Sequence, residues 1–303
     1  MEDSHSLSEF ERAYKKLKAS VYYEKASVVL CRKLAEYEAS PSFIEQLGKL
    51  EDTLKNANDK AWKEYVGTLV SQIGFFAFPK KMKDVTDARW DQEEKTPKCI
   101  YNYSPSPPEI RECQFFIDMP VEAHLLGVLW VMRVGVYLDE KLSDDVYGNR
   151  ARRAKDSKSR VDDSTPYLFK PYFGQYRKWR DKAIEVAERA ANDDNQNVYM
   201  LSLDFKSFFY RVRFTKEEWN RVLLSSEQKC LKSEIDKRLH EFCFSVFKRY
   251  AEVLFVETKN DDYGEASSIL PIGFAPSLIA SNWCLHKFDE EVVRQIDPLY
   301  YGR

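Results

Sequence analysis

Glycine is scarce in this sequence, ten in 303 residues, and proline is little commoner at twelve. With no repeated period either, collagen-like, low-complexity and repeat-array organisations are excluded. Histidine is scarcer still: His5, His124, His240 and His286 are spread along the chain. The six cysteines, Cys31, Cys99, Cys113, Cys230, Cys243 and Cys284, never approach CxxC spacing. A structural zinc site is therefore not expected. The opening MEDSHSLSEFERAYKK lacks the apolar core of a secretion signal, and together with unpaired cysteines this points to a reducing cytoplasm and free thiols in the core. Charge of one sign is also missing from the total: the net charge is −2 and the pI about 6.2. Any nucleic-acid surface must therefore come from local clustering.

What is present is apolar and aromatic. Hydrophobic residues make up 44% and aromatics 14%, enough to bury one large core or two smaller ones. From about Leu7 to Leu54 apolar residues such as Phe10, Tyr14, Leu17 and Tyr22 recur at helical spacing in a charged background, predicting two amphipathic helices. Between Ile73 and Ile117 the pattern turns irregular. FFAFPKK, a polar stretch and the proline-rich NYSPSPPEI predict strands and loops. Met119 to Leu138, MPVEAHLLGVLWVMRVGVYL, is nearly continuously apolar but carries Glu122, His124 and Arg133. An Asp, Lys or Arg at the centre of a spanning helix is penalised by roughly 2.5 to 3.5 kcal/mol. A buried core helix is expected there, and no membrane association. Further on, Leu231, Ile235, Leu239, Phe242, Val246 and Tyr250 predict a long structural helix between Gln228 and Leu254.

Two stretches concentrate positive charge. YGNRARRAKDSKSR, Tyr147 to Arg160, holds six Lys or Arg against one acidic residue, with Arg150 and Arg152 among them. YLFKPYFGQYRKWRDK, Tyr167 to Lys182, interleaves Lys170, Arg177, Lys178, Arg180 and Lys182 with Tyr, Phe and Trp. Charge runs are commonly solvated surface. Cations beside flat aromatic faces also suit phosphates and unstacked bases.

The most informative segment is VYMLSLDFKSFFYRV, Val198 to Val212. Its first residues read as a buried strand that delivers Asp204 at its C-terminal end. Asp204 could simply cap the turn that follows. A buried carboxylate, however, needs a neutralising cation, and hard divalent ions prefer such oxygens.

The order of apolar strand, Asp, Lys-Ser and two aromatics resembles motif A of reverse transcriptases. The resemblance implies that Asp204 binds two Mg2+ ions with help from the Phe205 carbonyl. It also implies that Phe208 and Phe209 line the nucleotide site, Phe209 acting as a steric gate against a ribose 2′-hydroxyl. Downstream, ILPIGFAPSLIASNWCL, Ile269 to Leu285, looks like motif B. There Pro271, Ile272 and Gly273 would approach the nucleotide, with Ser277 and Asn282 on the helix that follows. The family's usual Gln is replaced by Ile272, which removes a polar contact to the incoming nucleotide. The LPIG form, and the similarity of Phe116 to Arg150 with its LW and YGNR strings, resemble the bacterial abortive-infection and defence-associated (unknown-group) reverse transcriptases. On that resemblance Arg150 and Lys170 would touch phosphates, and Arg152 and Arg177 join them as nucleic-acid contacts.

DPLYYGR, Asp297 to Arg303, looks like the approach to motif C, whose two aspartates would follow. A chain ending there is not expected to polymerise alone, because two-metal transfer needs carboxylates from both motifs. The fold expected is α+β, a right-hand polymerase with a helical N-terminal region (1–60), fingers (61–190) and the first part of the palm (191–303), where the Asp204 strand joins a partial antiparallel sheet. The function implied is RNA-directed DNA synthesis in antiphage defence, adding deoxynucleotides to a 3′ or protein hydroxyl in the cytoplasm. RNA, a DNA product and a partner subunit or second copy are the partners. Synthesis without an ordinary template, and a non-catalytic RNA-binding scaffold, stand as alternatives.

Overall fold

Ser40, Pro41 and Ser42 interrupt the amphipathic N-terminal pattern. Proline has no N–H to donate and pushes the residue before it to extended geometry, and Ser40 is extended (φ −65°, ψ 131°). In the computed structural model, which describes residues 8–23, 27–82, 110–157, 159–193, 197–224, 231–258 and 268–303, the stretch expected to form two helices therefore forms three. These are α1 (Glu9–Tyr23), α2 (Val28–Ala39) and α3 (Phe43–Asn56), followed by α4 (Asp59–Ser71), which Asn58 caps through its side chain.

Strands β1 (Gly74–Met82) and β2 (Ile110–Asp118) pair antiparallel, with Phe75 opposite Ile117 and Phe76 opposite Phe116. The strand expectation holds here, while most of NYSPSPPEI lies outside the described residues. Next comes the expected core helix, built from α5 (Val121–Trp130), a π-helical turn (Val131–Gly135) and α6 (Val136–Glu140). It is long and apolar enough to cross a membrane, yet 83% of its most apolar window is buried inside the protein, as in a core helix. Helices α1 and α2 and, later in the chain, α10 (Glu234–Thr258) and α11 (Ala275–Ile296) pack around it. Before those two come α7 (Tyr172–Asp193), the single turn α8 (Phe208–Arg211) and α9 (Lys216–Leu224).

The chain is thus mixed α and β, and among the described residues its one sheet has two strands. One apolar core draws on all three expected regions, taking Phe10 and Leu17, Leu125 and Val161, Phe242 and Ile279. Close approach decides one glycine. A Cβ on Gly127 would overlap the ring of Phe274, so the absence of a side chain lets the start of α11 meet α5. A stack of rings closes the other side: Trp219 lies flat on His240 (4.6 Å, 2°) and Trp130 stacks on Trp219 at 5.5 Å. His240 and His124 are both buried, and burial pushes each imidazole down to about 3. Of the cysteines described, Cys31, Cys113, Cys243 and Cys284 are free thiols, but only Cys243 is fully buried.

Candidate functional site

The segment carrying Asp204 departs from its expected form. Residues 197–205 form no strand, and Tyr199 is 91%, Leu201 81% and Leu203 70% exposed. The physical reason is that a strand is buried only where its N–H and C=O groups find partners, and among the described residues the one sheet consists of β1 and β2, with neither of which residues 197–205 pair. Asp204 is consequently exposed, and the need for a cation to neutralise a buried carboxylate does not arise here. Phe205, nearly half exposed, touches the ring of Phe208 at 6.0 Å and that of Phe288 edge-on at 5.6 Å. This places the start of the motif beside α11.

Beyond Asp204 the geometry tightens. Ser207 takes a left-handed conformation (φ 56°), which turns the chain into α8 and directs Tyr210 inward. The Tyr210 hydroxyl accepts from the Phe115 N–H at 2.8 Å, and the Tyr250 hydroxyl donates to the Phe115 carbonyl at 3.0 Å, so the turn is bolted to β2. The Leu270 N–H donates to the Phe209 carbonyl at 3.2 Å, and the Ile117 N–H donates to the Ile272 carbonyl at 2.9 Å. The LPIG string therefore runs between the Phe208–Phe209 pair and β2, bringing two of the sequence motifs together. Pro271 is buried and Ile272 half-buried against the core, while Gly273, at φ 93°, is exposed. An Ile at 272 suits this packing, since its neighbour across the bridge is Phe116. Ser277 is fully buried in the first turn of α11, and its hydroxyl has no hydrogen-bond partner among the described residues.

The cations divide into two kinds. Arg150 is 2% exposed, and its guanidinium is directed inward. It donates to Asp139 Oδ1 at 3.0 Å, to the Ser143 and Val146 carbonyls at 2.8 and 2.7 Å, and to the Asp139 carbonyl at 3.2 Å. The expected phosphate contact is corrected accordingly: in this arrangement Arg150 ties the Ser143–Val146 segment, which leads into the turn at Gly148 and Asn149, to Asp139. Asn282 does likewise, donating to the Gly148 carbonyl at 2.9 Å and accepting from Arg303 at 2.8 Å. Arg303 also grips Asp289, and Tyr301 donates to the same carboxylate at 2.6 Å. Arg152 stands part-exposed against Asp162 at 3.3 Å, in a loop held down where buried Lys16 donates to the Asp162 carbonyl at 2.7 Å.

Lys170 and Arg177 are exposed. The Lys170 ammonium is held below the usual lysine range by partial burial first and by Arg150 next; Asp139 opposes this, and Arg153 and Lys178 add to it. Several structural partners gave no motif to read: Asp139, Asp289 and the ring stack of Trp130, Trp219 and His240. Only the apolar run that ends at Asp139 hinted at a buried carboxylate.

Chemically, the site offers one hydrated carboxylate, an exposed glycine in a left-handed turn and two stacked motifs. Among the described residues no group of three or more His, Cys, Asp or Glu side chains is placed to hold a metal ion. Asp204 and the Phe205 carbonyl alone do not make a two-ion site, which needs several shared carboxylate oxygens. No family model matches this chain, and no curated protein or solved structure matches it either.

Proposed function

We propose that this chain carries the fingers and the first part of the palm of a reverse-transcriptase-like polymerase of the bacterial defence type. The observation that carries the reading is the backbone link from Leu270 to Phe209. It sets the aromatic pair that follows Asp204 directly against the LPIG loop, two strings that resemble motifs A and B and lie sixty-odd residues apart in the chain. In this reading Asp204 contributes one ligand to Mg2+, Phe209 crowds the sugar of a deoxynucleotide, and Gly273 lets the backbone approach it. The described residues do not complete the metal site, so the remaining carboxylates must come from elsewhere. RNA and deoxynucleotides are the corresponding partners, in the cytoplasm, with DNA as product.

A second reading is favoured by a specific observation. Asp204 is exposed on a segment that pairs with no strand among the described residues, as a residue without a catalytic task would be, so a non-catalytic scaffold that binds structured RNA or a partner polymerase fits the same fold. A third, synthesis without an ordinary template, draws on Ile272, whose apolar side chain offers the incoming nucleotide no hydrogen bond.

The test is deoxynucleotide incorporation in magnesium, with and without RNA, by the protein expressed through its whole natural reading frame, beside an Asp204→Ala copy. Incorporation that disappears in the variant is expected. Absence of incorporation from both proteins, whatever RNA is supplied, would leave the scaffold as the better account. Sequencing the product of an RNA-free reaction separates templated from untemplated synthesis.

A further inference from the structure

Among the described residues α7 is the one helix that contributes no buried side chain: none of residues 172–192 is buried. It is not polar all round, however. Tyr172, Tyr176, Trp179, Ala183, Val186 and Ala190 follow one another at alternating steps of four and three, the spacing of a coiled-coil seam. At 3.6 residues per turn they share a stripe about 80° wide, and every charged residue of the helix lies outside it. A helix of this length draws its stability mainly from packing such a face. Within the chain, among the described residues, the only side-chain hydrogen bond from α7 to another part of the fold runs from the Trp179 indole to the Gly302 carbonyl, at 3.0 Å. Tyr172 is left 62% and Tyr176 44% exposed.

The seam is graded, with three large rings in its first half and small side chains in its second. Its positions also mirror one another about Asp181. Two copies of α7 laid antiparallel, with a two-fold axis level with Asp181, set Tyr172 of each copy on Ala190 of the other, Tyr176 on Val186 and Trp179 on Ala183. Each layer then holds one large and one small side chain, as close packing asks. A parallel pair would set Trp on Trp and Ala on Ala, crowding one end and leaving gaps at the other. On one rim Phe173 of each copy meets Ala187 of the other, again large on small. The cations nearest the axis are compensated on their own helix, Arg180 by Asp181 at 2.7 Å and Lys182 by Glu185 at 3.7 Å. That lessens the repulsion between the copies, and it leaves an unrelated acidic helix no free cations beside the stripe to recognise. The Trp179 N–H already has its acceptor in Gly302, so covering the ring leaves no donor unpaired.

We propose that α7 pairs antiparallel with α7 of a second copy of this chain, making a two-fold dimer whose seam runs from Tyr172 to Ala190. The pairing uses neither Asp204 nor the LPIG loop, so it stands whether or not the chain polymerises.

The experiment is sedimentation velocity of the whole chain through the micromolar range, where a dimer is expected. Ala183→Glu puts an unpaired charge into a central layer and should weaken the dimer at least about tenfold. Val186→Tyr sets ring against ring and should weaken it too. Tyr176→Val combined with Val186→Tyr exchanges the large and small members of that layer and should restore the dimer. Far-ultraviolet circular dichroism should match the parent in every variant, because these side chains are not part of the buried core. For direction, a Tyr176→Cys chain is mixed with a Val186→Cys chain and mildly oxidised, and a crosslink between the two positions is expected by mass spectrometry. The proposal is overturned if the parent stays monomeric, if Ala183→Glu dimerises like the parent, if the exchange variant recovers nothing, or if each cysteine chain links position for position to itself. Dimers that form where no deoxynucleotide incorporation is seen uphold this seam and count only against the polymerase reading.

Discussion

Two apolar stretches of this chain, Val121 to Glu140 and Val198 to Phe205, look alike in sequence and meet opposite fates. The first is covered on every side and holds Leu125, Leu126, Leu129 and Trp130 away from water. The second leaves Tyr199, Leu201 and Leu203 in solvent. A helix satisfies its own backbone groups and needs only side chains from its neighbours, here α1, α2, α10 and α11. A strand needs the N–H and C=O groups of another strand before it can be covered at all. Apolar sequence states that a segment favours cover; backbone pairing decides whether cover is found.

The strongest way to break this comparison is to damage the covered region at the ion pair between Arg150 and Asp139, both of whose side chains are buried. Arg150→Met leaves Asp139, which is fully buried, without its main partner, although Arg153 remains 3.4 Å away. Removing one member of a buried pair is expected to lower the unfolding free energy by about 3 to 5 kcal/mol, read from denaturant titration. A loss below about 1 kcal/mol would show that the turn is not part of the cooperative core.

Acidification comes next. Burial holds His124 and His240 down to about 3, below the ordinary imidazole value of about 6.5 that the unfolded chain would show. Because the folded value is the lower one, the contribution is full above about pH 6.5 and is lost progressively as pH falls toward 3. Between pH 7 and 5.5 the two together should remove roughly 2 to 3 kcal/mol of stability. His124→Gln with His240→Gln should flatten that slope, and an unchanged slope would locate the proton uptake elsewhere. The smallest effect sharpens the contrast from the other side: Leu201→Ser should change stability by less than about 0.5 kcal/mol. A loss above about 2 kcal/mol would mean that residues 198–205 are covered in solution, and the comparison would collapse.

Much of the helical frame was legible from residue pattern. The core helix, the long helix now bounded as Glu234–Thr258 and the β1–β2 region follow from periodicity, proline placement or apolar density, and the helix starting close to Ser277 from the resemblance of its string to motif B. Boundaries were less legible: Leu231 fell outside α10, and one proline with two serines divided the N-terminal pattern into three helices. Of the candidate site, the order of strings around Asp204 and LPIG was readable, and their adjacency follows from Leu270 pairing with Phe209. What local pattern could not contain was the partner. Arg150 reads as a surface cation because Asp139 lies eleven positions away on another element, and Asn282 reads as a pocket residue because Arg303 and the Gly148 carbonyl reach it only through the fold.

The five-residue π-helical turn from Val131 to Gly135 has a consequence for phase along the core helix. An extra residue in one turn shifts every later side chain relative to a regular helix. Ahead of the shift Trp130 meets the rings of Trp219 and His240; within it Arg133 reaches Glu9 and Asp236; after it Asp139 faces Arg150. Removing a single residue from the turn would restore an uninterrupted α-helix and swing Asp139 through about 100° around the axis, away from the guanidinium it holds. The angular offset of one peptide thus decides whether the turn after the core helix, and the tail residues tied to it, have anything to fasten to.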